Sequence, residues 1–127
     1  MARKMFPSIP SAENAAFWAA AEAGTLMVPK CKSCGKSHWY PRALCPHCFS
    51  DDIELVPSAG TGTIYTWSHM PRAPEPYTIA YVTLAEGVTV LTNIVDCDPK
   101  TLKIGQAVKL AWQKVEGGPQ VWVYTPA

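Results

Sequence analysis

From residue 31 to residue 48 the chain reads CKSCGKSHWYPRALCPHC, two Cys-x-x-Cys knuckles, Cys31 to Cys34 and Cys45 to Cys48, separated by ten residues. Two residues between thiolates let both sulfurs of a knuckle converge on one ion while backbone N–H groups of the turn donate to them. A second such turn completes a tetrahedron. Five cysteines in all, four of them packed into this stretch and Cys97 far away, do not form the even, dispersed set of a secreted disulfide framework. The expectation is a structural Zn²⁺ held by Cys31, Cys34, Cys45 and Cys48 in a reducing compartment. His38 and His47 lie inside the stretch, but four sulfurs already saturate a structural site. Iron is the competing ion, since four thiolates in tetrahedral geometry hold either metal; it would make the chain an electron carrier.

Four thiolates around a doubly charged cation leave two net negative charges at the site. Lys30, Lys32, Lys36 and Arg42 surround it, and no acidic residue falls between Glu22 and Asp51. Part of that positive group offsets the site itself, and Lys32, Lys36 and Arg42 are candidates for a phosphate or an acidic partner loop.

On the N-terminal side, an Ala-rich stretch carrying Phe17 and Trp18 runs between Ser11 and Gly24. With Ser11 as N-cap, Glu13 in the first turn and Gly24 at the left-handed C′ position, it predicts one helix over about residues 12 to 23. Phe17, Trp18 and Ala21 share a face, so this helix docks through two aromatic rings. Between the cysteine pairs and their flanks, Leu26-Met27-Val28 and His38-Trp39-Tyr40 read as short strands.

After residue 57 the texture becomes strand-forming: Thr61 to His69, Tyr77 to Leu84, Val88 to Val95, Ala107 to Val115 and Val121 to Thr125. Residues 85–87 and 116–119 are tight connections, whereas residues 70–76 and 96–105 are longer loops. Five strands fit a Greek-key barrel of OB type better than a two-sheet sandwich. The fold expectation is therefore mainly β: an N-terminal helical segment (1–24), a four-cysteine, rubredoxin-like zinc ribbon (25–56) and a five-stranded OB-fold barrel (57–127). Alternation assigns Ala80, Val82, Leu84, Val88, Val90, Val108, Leu110, Val121 and Val123 to the interior. Tyr65, Trp67, Tyr77, Tyr81, Trp122 and Tyr124 fall on the opposite face, where they would serve the helix and ribbon, a partner or a base-stacking platform.

The chain has 127 residues, 48% hydrophobic and 17% charged, with 12 prolines: a folded chain with few long helices, large enough for one domain or two small ones sharing a core. Its formal charge of +1 gives no global field for nucleic acid or an anionic membrane. Residues 57–127 hold five basic and five acidic side chains, which argues against a strand-tracking groove and leaves single-stranded nucleic-acid binding as an alternative resting on the aromatic face alone. With no 18-residue apolar run and a proline at position 7, no membrane span or signal segment is expected, and the chain reads as cytoplasmic.

Catalytic motifs are missing. Cys97 sits between Asp96 and Asp98, whose charges suppress the thiolate. Gly60-Thr61-Gly62 precedes a strand, where a dinucleotide fingerprint would follow one. A metal saturated by four cysteines offers no open position for hydrolysis. The polar loop His69-Met70-Pro71-Arg72-Ala73-Pro74-Glu75-Pro76 joins the first two barrel strands, and His69 and Arg72 are candidates for contacting a phosphate, a pantetheine amide or a partner carboxylate.

Taken together, the N-terminal helix, Cys-x-x-Cys-Gly with Cys-Pro-x-Cys, then Gly-x-Gly-x-Ile-Tyr-Thr-Trp, Pro-Tyr-Thr-Ile-Ala-Tyr-Val-x-Leu-x-Glu-Gly and Leu-Lys-Ile-Gly-Gln-x-Val resemble the family of rubredoxin-like zinc-ribbon plus OB-fold proteins associated with acyl-CoA enzymes. The resemblance covers roughly residues 11 to 125. It places the family's zinc ligands on Cys31, Cys34, Cys45 and Cys48, and its barrel glycines on Gly60, Gly62, Gly87 and Gly105. It implies a non-catalytic accessory subunit that pairs with a thiolase-like enzyme, in acyl transfer, thiolysis or aldol cleavage of CoA thioesters, or with a MaoC-like hydratase. The acyl-CoA would be a shared ligand. A rubredoxin-like iron carrier remains the alternative for the cysteine cluster.

Overall fold

The computed structural model describes residues 3–127; Met1 and Ala2, the start of the expected N-terminal segment, lie outside the described residues. One helix, α1 (Ala15–Glu22), leads into a two-stranded antiparallel sheet of β1 (Met27–Cys31) and β2 (Ile53–Pro57). Five further strands follow: β3 (Thr61–Met70), β4 (Tyr77–Leu84), β5 (Thr89–Asn93), β6 (Ala107–Gln113) and β7 (Val121–Pro126).

The five strands lie in the order β5-β4-β3-β6-β7 with every neighbour antiparallel. A parallel bridge between Ile94 and Tyr124 joins the two ends, and the Val95 N–H donates to the Tyr124 carbonyl at 2.9 Å. The sheet therefore curls into a half-barrel of OB type. β3 makes the curl possible: its first residues pair with β6 and almost all its length pairs with β4, with a bulge between Ile64 and Thr66. Within it, Gly62 has no room for a side chain, because a Cβ would stand 2.7 Å from Val82 Cγ1 and 2.8 Å from the Thr83 carbonyl oxygen. Gly62→Ala should cost about 1–3 kcal/mol through the β3–β4 backbone shift it forces, read as a lower urea midpoint at unchanged slope. A midpoint equal to wild type would contradict this packing.

Seven of the nine interior residues expected from alternation are buried, and Leu110 and Val121 are half-buried. Ile64 and Tyr124 join them. Tyr124 corrects the expected outward phase: next to the closing bridge both Val123 and Tyr124 turn inward, and Tyr124 is 0% exposed. Burial drives its phenol far above the usual tyrosine range, and its hydroxyl has no partner among the described residues.

Three local expectations also change. The helix begins at Ala15, because residues 11–14 form a turn in which the Ser11 N–H donates to Asn14 Oδ1 at 2.6 Å; Ser11 does not cap it. Glu13 Oε1 accepts from the Ala43 N–H instead of serving the helix start. His38-Trp39-Tyr40 is not a strand, since only Ser37 bridges to Lys30, and the true partner of β1 is β2. The helix end is as expected: Gly24 has φ +91°, its N–H donates to the Ala21 carbonyl, and the Thr25 N–H reaches the Ala20 carbonyl.

A cluster of rings joins helix, ribbon and barrel. Phe17, fully buried, stands edge-on to Trp18, Trp39, Tyr40 and Trp122 at 5.1–5.7 Å between centroids. The Trp18 Nε1–H and the Asn14 Nδ2–H both donate to the Tyr40 hydroxyl, at 2.6 and 3.2 Å.

Candidate metal centre and barrel surfaces

The two knuckles face each other at the far end of the β1–β2 sheet. The Gly35 N–H donates to the Cys31 carbonyl and the Phe49 N–H to the Cys45 carbonyl, so both turns close in the same way. Gly35 at φ +76° and Phe49 at φ +65° occupy the left-handed positions those turns require. As a result the Sγ atoms of Cys31, Cys34, Cys45 and Cys48 all lie within 4.8 Å of one another, with Cys31 to Cys48 at 3.6 Å and Cys34 to Cys45 at 3.8 Å. Sulfurs bound tetrahedrally at about 2.3 Å from one Zn²⁺ stand about 3.8 Å apart, so the set is spaced for a single ion.

Its electrostatics agree with that fit. N–H groups of Cys34 and Ser33 aimed at the Cys31 sulfur pull its pKa down to about 7. At Cys45, burial opposes ionisation but the N–H groups of Cys48 and His47 outweigh it, the latter 3.3 Å from the sulfur. Cys48 is helped by the Ser50 N–H, yet burial and the three neighbouring thiols push it up to about 11. Four thiolates cannot coexist at this spacing without a cation between them. Neither histidine joins the sulfur set. His47 is exposed, whereas His38 is buried with both ring nitrogens unpartnered among the described residues; burial, then Arg42 and His47, hold its pKa below the usual value.

Lys32, Lys36 and Arg42 are all exposed around this end of the ribbon. The other two candidate contact residues separate. His69 Nδ1 lies 2.8 Å from the Thr78 hydroxyl, and its ring lines a cavity of about 290 Å³ at the seam of the barrel. Arg72 is exposed in the β3–β4 loop and does not line it. Arg3, Asn93 and Gln113 do, and sequence reasoning misses them because they are distant in the chain and belong to no motif. Cys97 also faces this cavity; burial, then Asp98 and Asp96, raise its pKa.

On the outer face of β3, β4 and β5, Tyr65, Tyr81 and Leu91 are 65%, 46% and 50% exposed. Tyr81 and Leu91 are direct cross-strand partners, and Trp67 and Ile79 help line a shallow apolar cleft beside them. Trp122, expected on the same open face, is taken up by Phe17, Trp18 and Trp39 instead. Among the described residues no helix is long and apolar enough to cross a membrane.

Comparison with known proteins agrees with this architecture. Residues 18–54 match the family model described as ChsH2, rubredoxin-like zinc ribbon domain, and residues 55–113 the one described as ChsH2, C-terminal OB-fold domain. The chain is 35% identical over 120 residues to a probable enoyl-CoA hydratase alpha subunit of Thermomonospora curvata, covering 91% of this chain but only 38% of that protein. It is 33% identical over 98 residues to a DUF35 domain-containing scaffold protein of Methanocaldococcus jannaschii, covering 72% and 70%. Similarity to the benzoylsuccinyl-CoA thiolase subunit BbsA of Geobacter metallireducens is 30% over 69 residues, about half of each chain. Among solved structures, a chain of the Ltp2-ChsH2(DUF35) aldolase is 32% identical with a TM-score of 0.83, covering 95% of this chain and 98% of that one. The ribbon, the half-barrel and these matches make the chain a member of the ChsH2 (DUF35) family of rubredoxin-like zinc-ribbon plus OB-fold proteins.

Proposed function

We infer that this chain is an accessory subunit that holds a structural Zn²⁺, docks on a thiolase-like catalytic subunit and helps it bind an acyl-CoA, in acyl transfer, thiolysis or retro-aldol cleavage. The carrying observation is the open face of Tyr65, Tyr81 and Leu91 on a barrel whose interior is filled by its own side chains. Contiguous apolar surface of this kind marks an interface. Relatives named as a thiolase subunit, a hydratase alpha subunit and part of an aldolase support an acyl-CoA enzyme as the partner. In this reading the partner carries the reacting groups, and this chain supplies the half-barrel face against which it closes. Lys32, Lys36, Arg42 and Arg72, all exposed, are available for the phosphates of the nucleotide end.

Purification of the tagged chain from its native cell should bring down a thiolase-like or hydratase subunit, identified by mass spectrometry. Leu91→Lys places a charge at the centre of the face and should weaken capture by about 30-fold, as for loss of an interface hot spot of about 2 kcal/mol, with the unfolding midpoint unchanged. Undiminished capture by the variant would remove this face from the interface, and absence of any acyl-CoA enzyme from the complex would end the reading.

A further inference from the structure

The cavity at the barrel seam sits where β5 leaves the sheet. Asn93 to Cys97 form one wall, Tyr77 and Thr78 the second, and Gln113 at the end of β6 the third. Arg3 and Met5 of the N-terminal strap lie across it. The strap is tied down at three points. The Lys4 N–H donates to Glu75 Oε2 at 3.2 Å, the Gln113 Nε2–H donates to the Arg3 carbonyl, and Pro7 packs on Gly118 so closely that a Cβ there would be 2.6 Å away. A strap this well anchored makes the cavity a built feature of the chain.

Three buried polar atoms without a partner among the described residues line this one cavity: Arg3 Nε, Asn93 Oδ1 and Gln113 Oε1. Buried polar groups are almost always satisfied, so three together mark a place where another molecule completes the bonding. Their orientations are constrained. Gln113 uses its Nε2–H on the strap, which fixes its oxygen as the free half of the amide. The guanidinium carbon of Arg3 stands 3.7 Å over the Tyr77 ring, which fixes the plane from which Nε–H projects.

Two acceptors and one donor select the ligand. A carboxylate or phosphate would confront two carbonyl-type oxygens, and an ammonium would confront the guanidinium. A neutral secondary amide brings an N–H for the oxygens and a C=O for Arg3. The volume, about 290 Å³, is at the low end for small-molecule sites and admits a slender chain, not a large planar group. We propose that this cavity, beneath the N-terminal strap, binds the amide-bearing pantetheine arm of an acyl-thioester through Asn93, Gln113 and Arg3. Choosing that carrier for the amide rests on the accessory-subunit reading; the amide chemistry rests on the cavity itself.

Pantetheine titrated into the full-length, zinc-loaded chain should shift the NMR signals of Asn93, Gln113 and Cys97 saturably at millimolar concentrations. Pantothenate, which ends in a carboxylate, should bind several-fold more weakly. Asn93→Leu, which leaves the strap bonds untouched, should weaken pantetheine by about tenfold, the ratio expected for one lost hydrogen bond. Gln113→Met provides a second variant if Asn93→Leu does not fold. Absence of saturable shifts at these residues in wild type, or binding unchanged in a folded variant, would overturn the proposal and leave the cavity to water. A chain that binds pantetheine yet captures no acyl-CoA enzyme keeps the cavity and loses the subunit reading. Capture without shifts does the reverse.

Discussion

Replacing Cys34 by serine, or stripping the metal with a chelator, should unfold residues 25–56 and weaken partner binding without abolishing it, because the apolar face of β3 to β5 belongs to the other sheet. Cys34 is the informative ligand because it is exposed: its loss deletes a metal bond and almost no packing, whereas Cys31 and Cys45 are 0% exposed and would also open a cavity. Leu26 and Val28 anchor one end of the ribbon in the shared core, but its knuckle end has little besides the metal to hold it. Its sheet is five residue pairs long, and its loops carry exposed Leu44 and Phe49 rather than a core. Structural zinc sites of this kind contribute about 10–16 kcal/mol of binding free energy, which is folding free energy where no site preforms. That is as large as the entire stability of a typical domain, about 5–15 kcal/mol. Wild type should contain one zinc per chain and be colourless, and iron would announce itself by visible absorption. In Cys34→Ser the amide signals of residues 25–56 should collapse to unfolded values while β3 to β7 keep theirs, because the half-barrel is hydrogen-bonded within itself. A metal-free ribbon with native signals would show that the sulfurs are not what holds it.

What the sequence made legible follows from how local each signal is. The metal site could be read from residues 31–48 because spacing alone brings both sulfurs of a knuckle to one point. All five barrel strands were visible because alternation over five or more residues is set within the strand, and seven of the nine interior assignments are buried for the same reason. Tyr124 failed where alternation itself fails, at the seam between β5 and β7, whose position depends on how far the whole sheet curls. The helix cap failed because Asn14 competes with Ser11: its Oδ1 turns back to the Ser11 N–H and its Nδ2 reaches Tyr40, a residue 26 positions on. Gln113 depends for its side-chain bond on the strap that crosses it, and Asn93, half-buried on a separate strand, faces the same cavity. No window of sequence contains both.

The same distinction between local and distant signals bears on how the three parts of the chain hold together. Helix α1 has only eight residues, too few to be stable in water alone, so its place depends on what its buried face touches. That face is Phe17, Trp18 and Ala21, and Phe17 is in edge contact with rings from helix, ribbon and barrel at once. Phe17→Ala should therefore cost about 3–5 kcal/mol, the upper range for truncating a buried aromatic, since rigid neighbours such as Trp39 and Trp122 cannot collapse into the space. The loss should also appear in cooperativity. Without the central ring, Tyr40 and Trp18 keep their hydrogen bond, but the direct contacts of Trp18 and Trp39 with Trp122 lose the ring that wedges them in place, and denaturant unfolding should split into two transitions where wild type shows one. Near-ultraviolet circular dichroism from the tryptophans should weaken in native buffer, while Phe17→Leu, which keeps most of the volume, should lose less than half as much stability. A loss below about 1 kcal/mol in Phe17→Ala would mean that the cluster repacks, and that the ribbon and barrel are joined by something other than these rings.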